Sequence, residues 1–282
     1  MPSDHQALEF AARHEAALCT IVTIEGSFSR RVGAQLAVGR DGTRAGDMAD
    51  KCLDEELASQ AEAAVAEGAP RLLRYGEGSP FIDFRLPCGS GLDILVDPAP
   101  DRVALGLCAR ELAARRPATV FLPLPEGAPG GAIRARRYIP ALRLLVLGAG
   151  AEAEALTKLA GAQGIEVESY GPGHGLALGQ VPLGLVADVW TAVLLLFHDH
   201  EWEFTLLEWA LGTPAFYIGA QGGAPAREAR IERLRDAGRS DEAIARIQSP
   251  VGLIPHARDS SVLALSVLAE IVGAYEALHP HR

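Results

Sequence analysis

The sequence has few cysteines, no excess of positive charge and no long apolar run. Its 282 residues include four cysteines, which show neither CxxC spacing nor the rhythm of a disulfide framework. That usage is typical of proteins in a reducing compartment. The net charge of −10 argues against a nucleic acid partner, because phosphate backbones require a basic patch.

No uninterrupted apolar stretch approaches the roughly 20 residues that a membrane-spanning helix requires. The polar segment from Met1 to Arg13 does not resemble a signal peptide, which would carry an apolar run after a basic start. We therefore expect a cytoplasmic protein with no membrane span. The net negative charge does not exclude a small anionic ligand, since a few arginines or backbone N–H groups can bind one locally.

The length and the hydrophobic content of 49% predict a sizeable core and two domains of ordinary size. From Leu142 onward strands alternate with helices, a pattern typical of a parallel sheet with right-handed crossovers. The first half mixes strands and helices without that alternation. We predict an α/β protein with an N-terminal α+β domain over residues 1–140 and a C-terminal Rossmann-like parallel sheet over residues 141–282.

Hydrophobic spacing predicts the elements of the first domain and the last helices of the second. Helices are expected in the first domain at Asp4–Ala17, Leu53–Glu67 and Asp101–Arg116. Strands are expected there at Leu18–Ile24, Gln35–Val38, Arg71–Tyr75, Phe81–Leu86, Leu92–Val96, Thr119–Leu122 and Ile133–Ile139. The last two helices of the chain are expected at Asp241–Gln248 and Ser260–Leu278.

Three loops of the first domain carry residues suited to chemistry. Cys52 stands at or near the start of a helix, where the helix dipole favours the thiolate and lowers the pKa of a thiol. Cys88 lies in a glycine turn, and a third loop holds the adjacent cations Arg30 and Arg31. These loops are candidates for one pocket. The alternative is a set of inert cysteines and solvated arginines.

A glycine turn follows the first strand of the second domain. Gly148-Ala149-Gly150 lies between an apolar strand and a helix and fits the dinucleotide fingerprint, in which the helix start faces a phosphate. The acid expected at the end of the next strand, to bind a ribose, is replaced by Tyr170-Gly171. Glu152 adds a carboxylate where a pyrophosphate would lie. The motif leaves two interpretations open: a nucleotide cradle, or glycines that only permit close packing.

A second candidate set in this domain follows a central strand. His198 and His200, each beside an acid, are suited to ligate a metal or to transfer protons at the sheet edge where ligands bind. The alternative is a polar loop in which Asp199 caps the next helix. Gly219 opens a glycine-rich turn, residues 219–223, which we expect at the same edge with N–H groups available for an anion.

Together these motifs resemble the xanthine dehydrogenase accessory family of the XdhC/CoxI type, from about Leu18 to Ala274. The residues that carry the resemblance are Glu25-Gly26-Ser27 with Arg31 and Gly33-Ala34, Cys52-Leu53 with Glu55 and Glu56, Arg71–Gly76, Cys88-Gly89, Gly148-Ala149-Gly150, His198–Glu201, Phe216–Ala220 and Ser249–Leu253. Ordered motifs across both domains are more specific than any one of them.

The resemblance implies a chaperone rather than an enzyme. Such proteins are thought to bind molybdenum cofactor (molybdopterin) transiently, to protect it while its terminal sulfido ligand is installed, and to deliver it to an apo molybdenum hydroxylase. It implies a homodimer, and a cysteine desulfurase as a further partner. It makes Cys52 the leading contact to molybdenum, because thiolate is a soft ligand. The expected cofactor-binding residues are Cys52, Cys88, Arg30, Arg31, Gly148, Gly150, His198, His200 and Gly219.

Two other functions stay open at this point. One is an NAD(P)-dependent oxidoreductase that uses Gly148 and Gly150 for the dinucleotide and His198 or His200 for acid–base chemistry. The missing ribose acid argues against it. The other is a divergent dimeric scaffold that has lost ligand binding but still docks a hydroxylase subunit.

Overall fold

A computed structural model of the protein describes residues 3–48, 51–79, 89 and 91–279. The chain folds into two compact units. Unit 1 runs through the N-terminal half to Pro140, and unit 2 covers Ala141–His279. Each unit has its own main sheet and its own hydrophobic core.

Unit 1 is built on a five-stranded antiparallel sheet. Its elements are α1 (Ser3–Arg13), β1 (Ala16–Glu25), β2 (Gln35–Gly39), β3 (Arg44–Gly46), α2 (Lys51–Glu67), β4 (Arg71–Gly76), β5 (Gly91–Asp97), α3 (Arg102–Ala113), β6 (Ala118–Phe121) and β7 (Ala135–Tyr138). The strand order is β3-β2-β1-β5-β4. Strands β6 and β7 form a separate antiparallel pair.

Helices cover both faces of the unit 1 sheet, because β1 alternates apolar residues toward each side. Cys19 and Ile21 pack in one cluster with Leu53 and other residues of α2. Leu18 belongs to a second cluster, with Leu105 of α3 and residues of α1. The central strand β1 is therefore buried on both faces, which explains why most of its residues are apolar without alternation.

Unit 2 is built on a six-stranded sheet in which every pairing is parallel. Its elements are β8 (Arg143–Gly148), α4 (Ala151–Ala162), β9 (Glu166–Pro172), β10 (Gly175–Leu176), β11 (Thr191–Leu196), a 3₁₀ turn (His200–Trp202), α5 (Glu203–Leu211), β12 (Tyr217–Ala220), α6 (Ala224–Asp236), α7 (Asp241–Ala245), β13 (Ile247–Gln248) and α8 (Ser260–Glu276). The strand order is β10-β9-β8-β11-β12-β13.

Helices also cover both faces of the unit 2 sheet. Leu145 and Val193 pack in one cluster with Leu206 of α5, while α4 and α8 pack against each other. The strands are buried on both faces and therefore carry apolar residues without alternation. The predicted α/β class, with a Rossmann-like parallel sheet after an α+β half, is confirmed.

Two helices were predicted to run on into residues that belong to strands, and the helix predicted to end at Arg116 ends at Ala113. The first helix ends at Arg13, since Ala16 already pairs with Gly39 in the sheet. The helix predicted over Asp241–Gln248 ends at Ala245, because Ile247 pairs with Ile218 as an edge strand. In both places pairing with a distant strand outweighs local helical spacing. The strand predicted at Phe81–Leu86 lies outside the described residues.

Among the residues that the structure describes, no helix combines the length and the apolar character needed to cross a lipid bilayer.

Candidate functional site

Several strands of the unit 1 sheet end or begin at one edge, next to the loops that the sequence singled out. Strand β1 ends at Glu25 opposite Gly91, the first residue of β5, and Gly91 also pairs with Gly76 at the end of β4. Strand β2 starts at Gln35, opposite Thr20. Strands β1, β3 and β4 therefore end, and β2 and β5 begin, at this same edge, which we call the site edge.

The arginine loop, residues 26–34, is connected to the segment that leads into α2. Arg30 forms an ion pair with Asp47, which precedes Cys52 by five residues in the chain. The Arg30 Nε atom is buried and has no hydrogen-bond partner within the described residues. The backbone N–H of Ala34 donates to the Arg31 carbonyl at 3.1 Å and closes the loop. The structure thus brings the arginine loop and the approach to Cys52 together.

Cys52 is the second residue of α2 and is exposed. The start of α2 is held by Asp54, whose carboxylate accepts the Met48 backbone N–H at 3.0 Å. Cys19 and Cys108 are buried, and burial raises the pKa of each of these thiols to about 12. Of the cysteines in the described ranges, Cys52 is the one that a ligand in solution can reach.

Cys88 lies outside the described residues, so its proposed place beside Cys52 stays a prediction. The strands on either side of it in the chain, β4 and β5, end and begin at the site edge.

Sequence reasoning missed a charged network at the site edge. The Arg74 guanidinium forms ion pairs with Glu25 and with Asp93, the latter at 3.0 Å, and its Nε donates to the Glu77 carbonyl at 2.8 Å. The Thr23 hydroxyl donates to the same Asp93 carboxylate. A charged residue at a core-facing position of a strand, such as Asp93, indicates that an oppositely charged partner exists. Only the strand register shows that this partner is Arg74.

A second missed arginine lies at the other end of the arginine loop. Arg136 is 1% exposed, and its Nε donates to the Gly33 carbonyl at 2.6 Å. The guanidinium lies over the Tyr138 ring, 4.6 Å from its centroid. The Tyr138 hydroxyl donates to Gln35 at 2.5 Å, and Gln35 donates to Thr20 at 2.9 Å. These side chains are all buried in unit 1.

In unit 2 the glycine turn has the Rossmann shape, with Gly150 preceding α4. Gly148 has φ +153°, and a Cβ there would lie 2.1 Å from the Leu196 carbonyl oxygen of the neighbouring strand. Close packing of β8 against β11 therefore requires this glycine. Gly150 has φ +104°, a backbone conformation that favours glycine. Backbone geometry explains both glycines without a ligand.

The chemistry around that turn does not fit a dinucleotide. The Glu152 carboxylate lies 3.6 Å from the place of a Gly150 Cβ and 3.5 Å from His198 Nε2. It therefore puts a negative charge over the turn, where a pyrophosphate would need the helix N–H groups. Tyr170 and Gly171 extend β9, and Glu168 within that strand forms an ion pair with Arg143 at 3.3 Å.

The second histidine has a different environment. His200 Nδ1 lies 3.0 Å from Glu203 Oε1, and the other oxygen of Glu203 accepts two N–H groups of Arg230, at 2.9 and 3.1 Å. Glu203 and Arg230 are almost fully buried and were missed by sequence reasoning. Asp199 caps the 3₁₀ turn by accepting the Glu201 N–H at 3.1 Å, whereas the following helix α5 begins after Trp202 without a side-chain cap.

A cavity of about 100 Å³ adjoins this ion pair, with walls formed by His200, Glu203, Phe204, Leu207, Ala226, Ala229, Arg230 and Arg233.

Gly219 was expected to open a loop at this edge, but it lies inside β12. A Cβ at Gly219 would meet Leu194, Tyr217 and Val251 side chains within 2.8 Å. Packing therefore requires this glycine. Across the described ranges no group of three or more His, Cys, Asp or Glu side chains is arranged to hold a metal ion.

Comparison with known proteins agrees with this two-part architecture. Residues 10–76 match the model of the XdhC and CoxI family, and residues 144–271 match that of the XdhC Rossmann domain. The chain is 34% identical over 268 residues to the molybdenum cofactor insertion chaperone PaoD of Escherichia coli (strain K12), covering 91% of this chain and 82% of that protein.

A crystal structure from Bacillus halodurans, described as a xanthine dehydrogenase, has the same fold. Its TM-score is 0.76 at 20% identity, over 99% of this chain and 97% of that one. At this identity the similarity concerns the fold alone. The identity to PaoD over most of both chains, together with the two family matches, shows that this chain belongs to the XdhC and CoxI family.

Proposed function

We propose that this protein is a chaperone that binds molybdenum cofactor and inserts it into an apo molybdenum hydroxylase. The observation that carries the proposal is the 34% identity, over 91% of the chain, to a molybdenum cofactor insertion chaperone. The site edge of unit 1 supports it chemically. An exposed thiol and two arginines are suited to a cargo that combines a metal centre able to bind sulfur with an anionic phosphate.

In this proposal Cys52 is the contact to the molybdenum end of the cargo. It stands at the start of a helix and is exposed. Arg30 and Arg31 bind the anionic end, and the Nε of Arg30, which has no hydrogen-bond partner among the residues described, provides a donor. Cys88 is proposed as a second thiol of the same site on sequence grounds. The protein itself binds, protects and releases the cofactor, so no covalent step on substrate is assigned to it.

The proposal includes partners and a compartment. The client is an apo hydroxylase subunit, and a cysteine desulfurase supplies sulfur for the terminal ligand of the cofactor. The chaperone is proposed to act as a homodimer. Cysteines 19, 52 and 108 form no disulfide, which supports action in the reducing cytoplasm.

The contacts of unit 2 favour structural roles for several residues that sequence reasoning assigned to the cofactor. Gly148, Gly150 and Gly219 have backbone or packing reasons to be glycine. His198 and His200 each lie beside a carboxylate. A direct contact of any of these five residues with the cofactor stays a prediction. The observations on the glycine turn do not favour the NAD(P)-dependent oxidoreductase.

The test is to express the protein in cells supplied with molybdate and to measure its cargo after purification. Molybdenum is measured by mass spectrometry, and molybdopterin by the fluorescence of its oxidised pterin. Cys52→Ser is expected to retain about a tenth of the wild-type molybdopterin or less, since loss of one metal contact or its support typically costs 10-fold or more. Cys108→Ala, at a buried cysteine, is the matched control.

Two results would contradict the proposal at different levels. Wild-type protein without molybdopterin, even after incubation with a molybdopterin-loaded donor, would remove the chaperone function. Equal retention by wild type and Cys52→Ser would leave the function standing but remove the role of Cys52.

A further inference from the structure

The arginine loop, residues 26–34, is held at each end by an arginine from another part of unit 1. Arg74 of β4 pairs with Glu25, the residue before the loop. Arg136 of β7 binds the carbonyl of Gly33 near its end. We propose that Arg74 and Arg136 are positioning residues that hold this loop ready for the anionic end of its ligand. The inference rests on the proposed function for the identity of that ligand.

The Arg74 guanidinium contacts three separate parts of unit 1, namely β1, β5 and the loop after β4. Its three nitrogens bind the Glu25 carboxylate, the Asp93 carboxylate and the Glu77 carbonyl, so each nitrogen already has a protein partner. The guanidinium fills the space beside Gly91, where a Cβ would lie 2.1 Å from Nη2. Because each of its three nitrogens is bound to a protein oxygen, we assign Arg74 a role that acts on a ligand through the loop and not by direct contact.

Arg136 holds the other end in a similar way. Gly33 has φ +86°, and a Cβ there would lie 2.8 Å from Arg136 Cδ, so this arginine also fills the space beside a glycine. The Gly33 N–H donates to the Ile21 carbonyl at 2.7 Å, which fastens the same residue to β1. Both ends of the arginine loop are therefore fastened, one through a carboxylate and one through a backbone carbonyl.

Fastening both ends has a direct consequence for binding. A flexible loop loses conformational entropy when a ligand orders it, and that loss weakens binding. A loop held beforehand places Arg30 and Arg31 without this loss, because rigid support keeps binding groups in their productive geometry. Arg74 and Arg136 each donate several hydrogen bonds from one planar guanidinium. A lysine ammonium at either position cannot reproduce that planar arrangement of donors.

The first experiment measures hydrogen exchange of the cofactor-free protein by mass spectrometry. Arg74→Lys and Gly91→Ala are expected to speed exchange in peptides covering residues 26–34 by about tenfold, with the peptides of α1, α2 and α3 unchanged. Gly91→Ala keeps every charge and only displaces the guanidinium. Arg71→Lys, on the same strand, is the matched control and is expected to exchange like wild type. Circular dichroism checks that each variant is folded.

The same comparison is made at the other end with Arg136→Lys against Arg137→Lys. Arg136→Lys is expected to speed exchange of the Gly33 and Ala34 amides, and Arg137→Lys to leave it unchanged. Unchanged exchange in residues 26–34 for both Arg74→Lys and Gly91→Ala would overturn the proposal. An equal rise over the whole of unit 1 would also overturn it, since that result describes a purely structural role.

Cofactor retention then connects the loop to its ligand. Arg74→Lys and Gly91→Ala are expected to retain molybdopterin at least about fivefold less than Arg71→Lys, because preorganisation contributes to affinity. Wild-type retention by both variants, despite faster exchange, would overturn the positioning role. If wild type carries no molybdopterin, the proposed function fails, while the exchange data still decide whether the two arginines hold the loop.

Discussion

Arg230 and Glu203 form an ion pair that is almost fully buried in unit 2. Arg230 Nη2 lies 2.9 Å from Glu203 Oε2, and the two side chains are 5% and 3% exposed. Arg230 also donates to the Ser249 hydroxyl at 2.7 Å and to the Gln221 carbonyl at 2.8 Å. It thus connects α5, α6 and the segments after β12 and β13.

Removing one partner of this pair is expected to be strongly destabilising. Arg230→Met leaves the Glu203 carboxylate buried without its counter-charge, so we expect a loss of about 3–5 kcal/mol in the free energy of unfolding. Urea denaturation followed by circular dichroism measures it. The control is Arg239→Met in the more exposed pair with Glu208, where the expected loss is below about 1 kcal/mol. Similar losses in the two variants would contradict the prediction.

The three described cysteines are expected to differ in reactivity. Iodoacetamide at pH 8 should label Cys52 in the native protein and leave Cys19 and Cys108 unlabelled, since burial hides both and raises their pKa to about 12. In urea all three should react. Mass spectrometry of tryptic peptides gives the extent of labelling. Native labelling of Cys19 as fast as that of Cys52 would contradict the burial of Cys19 in the core of unit 1.

The same buried thiols predict a dependence of stability on alkaline pH. Their pKa is higher in the folded protein than the ordinary value of 9.0, so the folded state holds its thiol protons more tightly. The stabilisation is complete below pH 9 and is lost as the pH rises toward about 12, by up to about 1.4 kcal/mol per pH unit for each thiol. Cys108→Ala is expected to flatten this fall between pH 9 and pH 11. Equal slopes for wild type and variant would contradict the assignment.

Two glycines near the fingerprint of unit 2 are expected to respond in opposite ways to alanine. Gly148→Ala places a Cβ 2.1 Å from the Leu196 carbonyl oxygen and should destabilise by about 2 kcal/mol or more. A Cβ at Gly161, in α4, meets nothing within 4 Å, so Gly161→Ala should stabilise by about 0.5–1 kcal/mol. Thermal denaturation of both variants measures the difference. Tolerance of Gly148→Ala would remove the packing explanation for this glycine.

The glycine turn is expected to reject dinucleotides. Calorimetric titration of wild type with NAD or NADP should show no saturable binding at millimolar concentration, because Glu152 places a carboxylate over the turn beside His198. Glu154→Gln, in the same helical turn, is expected to behave like wild type, whereas Glu152→Gln should gain weak binding of pyrophosphate. Saturable binding of NAD by wild type with a Kd below about 1 mM would restore the oxidoreductase hypothesis.

The amino-acid sequence alone determined the fold class and most of the elements. Apolar runs such as Thr191–Leu196 have no polar alternation, which identifies strands that helices cover on both faces. The glycine turn at Gly148–Gly150, between a strand and a helix, identified the start of the Rossmann-like sheet. An Asp199 cap was one of the two alternatives that the sequence left open, because a short carboxylate before a helix has a fixed local geometry, and it is found on the 3₁₀ turn. All of these signals act over a few neighbouring residues.

Only the tertiary structure decided which distant residues meet. Arg74 and Asp93 are 19 residues apart in the chain, and Arg136 and Gly33 are 103 apart. Strand register brings Arg74 and Asp93 together, whereas the Arg136 side chain of β7 reaches a loop carbonyl outside any shared strand pairing, and the single sequence contains no local sign of either contact. The same holds for Glu203 and Arg230, whose charges would normally indicate surface positions. Burial of a charge becomes visible only when its partner is known, because a paired charge is what a folded interior tolerates.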